Sequence, residues 1–366
     1  MAVFSAVVLA GTASPAVAAA PAWRLASISP TTATSVLRDV AAADARHAWA
    51  VGLEGYHPDQ QGAGGPLMLR WNGKRWSRTS LPTVPGQVSF EHVATSSAQD
   101  VWVAGVERRP EGTVKLVWRY DGSTWTDVPY PPGTDPSLSV QDLSAVDGRA
   151  WLVGYRSMAP VFHEWTGSSW VERPAPNECV NGGSFPNFCT VNAVKAFAPD
   201  DVWAAGNGWW NGYVGPVLFH WNGTAWRTVD TGLNGMRFAF RELDGLSSKD
   251  IWAIGGSDTE PGTLVVRGDG TTWQTVAGPN ATSAAAVAVG SDGVPWVAAN
   301  YPLGSFSSHG PAGWTTVPAP VPAGTHAAYY NAVAAVPGTN RVLAVGSADV
   351  TGTSPLLVRA VVAEYR

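Results

Sequence analysis

The sequence is poor in charge. Asp, Glu, Lys and Arg make up 14% of its 366 residues, too few to coat the outer faces of many amphipathic helices. No stretch sustains a 3.6-residue apolar period, so a helical bundle is excluded. The net charge is −5, and cationic side chains cluster no further than pairs such as Arg108-Arg109. The electrostatic footprint of a nucleic-acid binder is therefore missing. Histidine is scarce and scattered (47, 57, 92, 163, 220, 309, 326), and there are two cysteines. No zinc-spaced Cys/His cluster, P-loop or G-x-S-x-G elbow can be drawn from them, and neither a metal nor a cofactor is expected.

Long apolar runs are missing as well. The longest, AVFSAVVLA at 2–10, is too short to cross a bilayer. Followed by AVAAA, it reads as the h-region of a signal peptide with a small-residue cleavage site near Ala20. The first cation is Arg24, so the basic n-region is absent and a clipped N-terminus is expected. Residues 1–20 are read as this signal and 21–366 as one exported, extracellular, monomeric domain with no membrane span. Cys179 and Cys189 lie in the Gly/Asn-rich stretch NECVNGGSFPNFC, and a close pair in an exported protein is expected to form a disulfide. A ring this small contributes roughly 2.5–3 kcal/mol in the chain-entropy picture.

What the chain does contain is glycine (40), proline (28) and tryptophan (19), the mixture of short strands and tight turns. HAWAVG, DVWVAG, RAWLVG, DVWAAG, DIWAIG, VPWVAA and RVLAVG recur with their Trp or Leu at 49, 102, 151, 203, 252, 296 and 343. Each follows a stretch of small apolar residues and precedes a variable loop. A strand ending in a turn then follows, as in RWNGKRW, RYDGSTW, EWTGSSW, HWNGTAW and RGDGTTW. Asn-Gly and Asp-Gly supply the positive φ of a tight hairpin.

Four short strands in each of seven units predict an all-β fold, a seven-bladed β-propeller with four antiparallel strands per blade. The seventh unit stops at PLLVRAVVAEYR, while the mature N-terminus opens on AWRLASISP, an orphan outer strand. The N-terminal strand is therefore expected to close the ring; a C-terminal hairpin is the competing closure.

The small-residue end of the second strand, then an aromatic, a turn and a tryptophan, resembles the kelch and galactose-oxidase-like propellers. The Asp-Gly-x-x-Trp turn is similar to the Asp-box of sialidase-like propellers. The turn is shorter than the usual kelch turn, and the paired glycine is clear only at Gly255-Gly256, so the resemblance implies architecture and not activity.

In such a ring the long loops gather on one face, where ligands bind. Alignment of the inner strands places Arg38, Glu91, Gln141, Asn192, Arg241, Ala285 and Asn331 in one column, six of the seven polar. The next column adds Asp39, His92, Asp142 and Glu242. Both columns are expected at the mouth of the central channel, either holding a small polar ligand or satisfying one another and the ends of the inner strands. In the loops, Trp209, Trp210 and Tyr213, with Tyr56 and His57, are candidates for a stacking platform, because aromatic faces match the apolar faces of sugars; capping of a local loop core is the alternative.

These features favour an extracellular glycan or cell-wall saccharide as ligand. An enzyme is disfavoured. Copper chemistry of the galactose-oxidase kind lacks its free cysteine, and a sialidase-like arginine triad lacks a third arginine beside Arg38 and Arg241. A lyase or hydrolase using Asp39, Glu91, His92, Asp142 or Glu242 stays open, as does a protein-binding scaffold.

Overall fold

The computed structural model describes residues 20–366 apart from 33, 56–63, 84–85, 131–137, 158, 181–188, 211–212, 234–235, 258–261, 281–283, 302 and 354–356. The signal-peptide reading thus falls outside the described residues. The rest is seven four-stranded antiparallel sheets set around a central channel, a seven-bladed β-propeller. The channel is walled by the seven inner strands Ser35–Asp44, Gln87–Ser97, Ser139–Val146, Cys189–Ala198, Ala239–Ser247, Ala284–Val289 and Thr325–Ala335.

Second strands are apolar on both faces because each blade is sandwiched between two others. In His47–Glu54 six consecutive residues are buried, the pattern of a strand covered on both sides. The repeated tryptophans fill the seams: Trp49, Trp102, Trp151, Trp203 and Trp252 are 0–2% exposed and Trp296 8%.

Two contacts explain the composition of the repeat. In blades two and four the Asp two residues before the tryptophan accepts its indole N–H: Trp102 Nε1 to Asp100 (3.0 Å) and Trp203 Nε1 to Asp201 (3.1 Å). The same carboxylate takes a side chain from the third strand: Arg119 at 2.8 Å, or the His220 ring at 3.0 Å. That side chain lies over the indole, the Arg119 guanidinium at 5.0 Å from Trp102 and the His220 ring stacked 4.4 Å from Trp203. In HWNGTAW, then, the histidine belongs to this clamp. Asn222 Oδ1 accepts the N–H groups of Thr224 (3.1 Å) and Ala225 (3.0 Å), forming the turn, with Gly223 at φ 87°. Trp221 and Trp226 face each other across the hairpin and pack on Trp151 of the preceding blade.

The ring closes as expected from the orphan strand. Val358–Tyr365 is the third strand of blade seven, and Trp23–Leu25 pairs with it as the fourth, Trp23 opposite Tyr365. Trp23 stacks on Phe306 of blade six at 3.7 Å, so the two chain ends complete one blade and lock it to its neighbour.

Candidate functional site

All seven inner strands carry a β-bulge at one height. The extra residue is Arg38, Glu91, Gln141, Asn192, Arg241, Ala285 or Asn331. This is the polar column of the sequence, and the bulge gives it a cause. An inserted residue breaks the strict alternation of the strand, which brings two consecutive side chains, such as Arg38 and Asp39, to the same cavity. That cavity, about 390 Å³, is lined by both columns: Arg38, Glu91, Gln141, Asn192, Arg241 and Asn331, with Asp39, His92, Asp142 and Glu242.

The glycine ending each second-strand motif belongs to the bulge. Opposite Leu37, Gly52 lies so close that a Cβ would stand 2.0 Å from the Val36 carbonyl oxygen, and Gly105, Gly154, Gly206, Gly255 and Gly346 are in the same position (1.9–2.3 Å). Blade six alone has alanine there, Ala299 opposite Ala284, and blade six alone has no polar bulge residue.

Part of the ring satisfies itself. Asn192 donates to the Phe240 carbonyl (2.6 Å) and Asn331 to the Leu37 carbonyl (2.8 Å), each reaching the residue before the next blade's bulge. Gln141 donates to Ser139 Oγ (2.9 Å), and Arg38 pairs with Glu91 at 3.3 Å. Asp39 accepts from Val93 N–H (2.8 Å) and Asp142 from Val194 N–H (2.7 Å), tying inner strands of adjacent blades. Arg241 is different: it is exposed and has no ion-pair partner among the described residues.

The narrow channel also sets the charges. Burial pushes the Asp39 carboxyl up to about 6. Burial, and then the charge of Asp39, pushes Asp142 up to about 8. Burial together with Asp142 and Asp39 raises Glu242 well above the carboxylate range. Burial, then Arg38, lowers His92 to about 4, and its Nδ1 stands 3.9 Å from Asp142 Oδ1. These raised carboxyls hold their protons to higher pH than free ones do, and the mouth gains negative charge as pH rises through about 6 at Asp39 and about 8 at Asp142.

Below the mouth the channel forms a further cavity of about 430 Å³ and holds two residues the sequence reading missed, Lys195 and Asp244, paired at 2.5 Å. They share the column one past the common Val/Leu of the inner strands, and alternation from the bulge was the signal that could have found them. No group of His, Cys, Asp and Glu suited to a metal occurs among the described residues.

The aromatic platform is only partly on view. Tyr56 and His57 lie outside the described residues. Trp209 and Trp210 end the second strand of blade four and pair with Val214 and Tyr213, in a hairpin longer than its neighbours'. The disulfide Cys179–Cys189 stands at the foot of this hairpin, where Cys189 is paired with Gly208. It fastens the connection from blade three to the base of the hairpin.

No family model matches the chain, and no curated protein does. Solved structures do. The chain is similar to YCF48 bound to a D1 peptide (14% identity, TM-score 0.58, covering 94% of this chain and 96% of that one). It is also similar to the WD40 β-propeller domain of Doa1 (14%, 0.56, 93% and 96%). A third is a catalytically inactive virginiamycin B lyase from Staphylococcus aureus with quinupristin (11%, 0.53, 79% and 98%). The likeness is one of fold. It supports a β-propeller and does not single out the kelch or galactose-oxidase-like group.

Proposed function

We propose that the protein is an exported binding propeller that holds a polar ligand over the channel mouth, with an extracellular saccharide as the leading class. The sevenfold bulge carries this reading, because it converges ten polar side chains on one cavity, among them Arg241, which has no ion-pair partner among the described residues. Amides, acids and guanidinium groups in a ring suit a ligand rich in hydroxyls, and the hairpin bearing Trp209 supplies an aromatic face on the long-loop side. The disulfide supports an oxidising compartment. The test is a glycan array followed by calorimetry with cell-wall fragments; blanks in both abandon the saccharide.

Two observations favour second readings. Burial and its neighbours push the Asp142 carboxyl up to about 8 beside His92 and raise Glu242 as well, the direction a general acid requires, and turnover of an array hit followed by mass spectrometry would reveal a lyase or hydrolase. Blade six exposes Tyr301 (63%), Leu303 (62%) and Val321 (45%), where a protein partner could seat apolar side chains. A neighbour in fold holds a peptide, and a pull-down comparing wild type with Tyr301→Ser and Leu303→Ser tests that scaffold reading.

A further inference from the structure

A second cavity opens beside the mouth, and its chemistry is different. It measures about 360 Å³, within the range of small-ligand sites, and spans three blades. Its apolar floor consists of Val36 and Leu53 of blade one, Val88 and Val106 of blade two, and Val358 of blade seven. Its rim holds two guanidinium groups, Arg38 and Arg108.

The rim charges sum in one direction. Arg38 is matched by Glu91 at 3.3 Å, and Glu91 also accepts a hydrogen bond from Ser89 Oγ at 2.6 Å. The adjacent Arg109 is taken by the buried Glu107 at 2.6 Å. Arg108, opposite Gln87 in the register of blade two, is exposed and has no ion-pair partner among the described residues. One cation over an apolar floor is thus left uncompensated.

We propose that this cavity is a separate binding site for a small monocarboxylate with an apolar body. Arg108 takes the carboxylate through its planar fork, the geometry that favours guanidinium over ammonium for this group. The valine floor takes the apolar body, whose burial supplies the non-directional part of the affinity. Arg38 and its partner Glu91 form the wall shared with the channel mouth, so the two sites are neighbours with distinct ligands: hydroxyl-rich at the mouth, amphipathic here. The site does not rest on the saccharide reading.

The test is methyl NMR of the full-length protein labelled at valine, titrated with 3-phenylpropanoate. Saturable shifts are expected at the methyls of Val36, Val88, Val106 and Val358. The neutral 3-phenylpropanamide and the Arg108→Ala variant are each expected to bind about 10-fold more weakly or worse. Arg108 is exposed, so this variant is expected to keep its fold, and the unchanged spectrum of distant valines checks that. Arg241→Ala is expected to leave the titration unaltered, which separates this site from the mouth. Absence of shifts at these methyls, equal binding of acid and amide, or unchanged affinity in Arg108→Ala overturns the proposal. So does binding of N-acetylglycylphenylalanine without binding of 3-phenylpropanoate, which would assign the pocket to a peptide terminus.

Discussion

Gly52 faces Leu37 across the innermost strand pair of blade one, directly before the bulge at Arg38, and a Cβ on Gly52 would stand 2.0 Å from the carbonyl oxygen of Val36. A backbone oxygen cannot swing aside as the end of a long side chain can, so the backbone of this blade leaves no room for a Cβ opposite its bulge. Gly52→Ala is expected to destabilise the protein by about 1–3 kcal/mol, the usual cost of overpacking. In blade six, which holds its bulge with alanine, Ala299→Gly is expected to cost only about 0.5–1 kcal/mol through added chain freedom. Urea denaturation of the two variants checks the contrast, and equal losses would detach the glycine from the bulge.

The carboxyls at the mouth predict a pH dependence of stability. The Asp142 carboxyl lies at about 8 in the folded protein against 3.8 as the ordinary value. The fold therefore binds this proton more tightly than the unfolded chain does. Its contribution is complete below about pH 4 and is lost as pH rises toward 8. Asp39 and Glu242 act in the same sense. Denaturation from pH 5 to 9 is expected to show falling stability in the wild type and a shallower fall, on the order of 1–3 kcal/mol smaller, in Asp142→Asn. A steeper slope in the variant would reverse the assignment.

Closure of the ring rests on few residues. Trp23 pairs with Tyr365, stacks on Phe306 at 3.7 Å and meets Trp296 edge-on at 5.6 Å. Trp23→Ala removes the only large side chain that the short outer strand sends into the seam between blades six and seven. A loss of about 2–4 kcal/mol is expected, with hydrogen exchange accelerating first at Val358–Tyr365. Uniform acceleration in all blades would contradict this local role.

How far the sequence was legible depends on the range of the interaction. Blade number followed from local repeats such as DVWVAG, and closure followed from the strand missing after Val358–Tyr365. The mouth was located because Arg38, Glu91, Gln141, Asn192, Arg241 and Asn331 occupy equivalent positions in a repeat. The reason for the column was hidden, since a bulge is a mismatch between two strands and neither strand announces it alone. Bonds from Asp39 to Val93 and from Asp142 to Val194 were hidden too: they join blades, and no local pattern encodes them. The apolar pocket joins Val36 to Val358, positions at opposite ends of the chain that meet only when the ring closes.

The disulfide is expected to act locally. Cys179 and Cys189 fasten the foot of the hairpin that carries Trp209. The Cys179→Ala/Cys189→Ala double variant is expected to lose up to about 2.5–3 kcal/mol. Amides near Gly208 should lose protection before those of the other blades, as hydrogen exchange will report. Global loss of protection without a local phase would argue against it.

The central claim is that the bulged ring is a ligand site and not only a brace between blades. Calorimetry of the strongest saccharide from the array against wild type, Arg241→Ala and Asp121→Asn tests it most directly. Asp121 holds a turn on the opposite face through the N–H groups of Ser123 and Thr124. Saturable binding is expected for wild type and for Asp121→Asn, and binding at least about 10-fold weaker for Arg241→Ala. Equal affinity in all three proteins would contradict it.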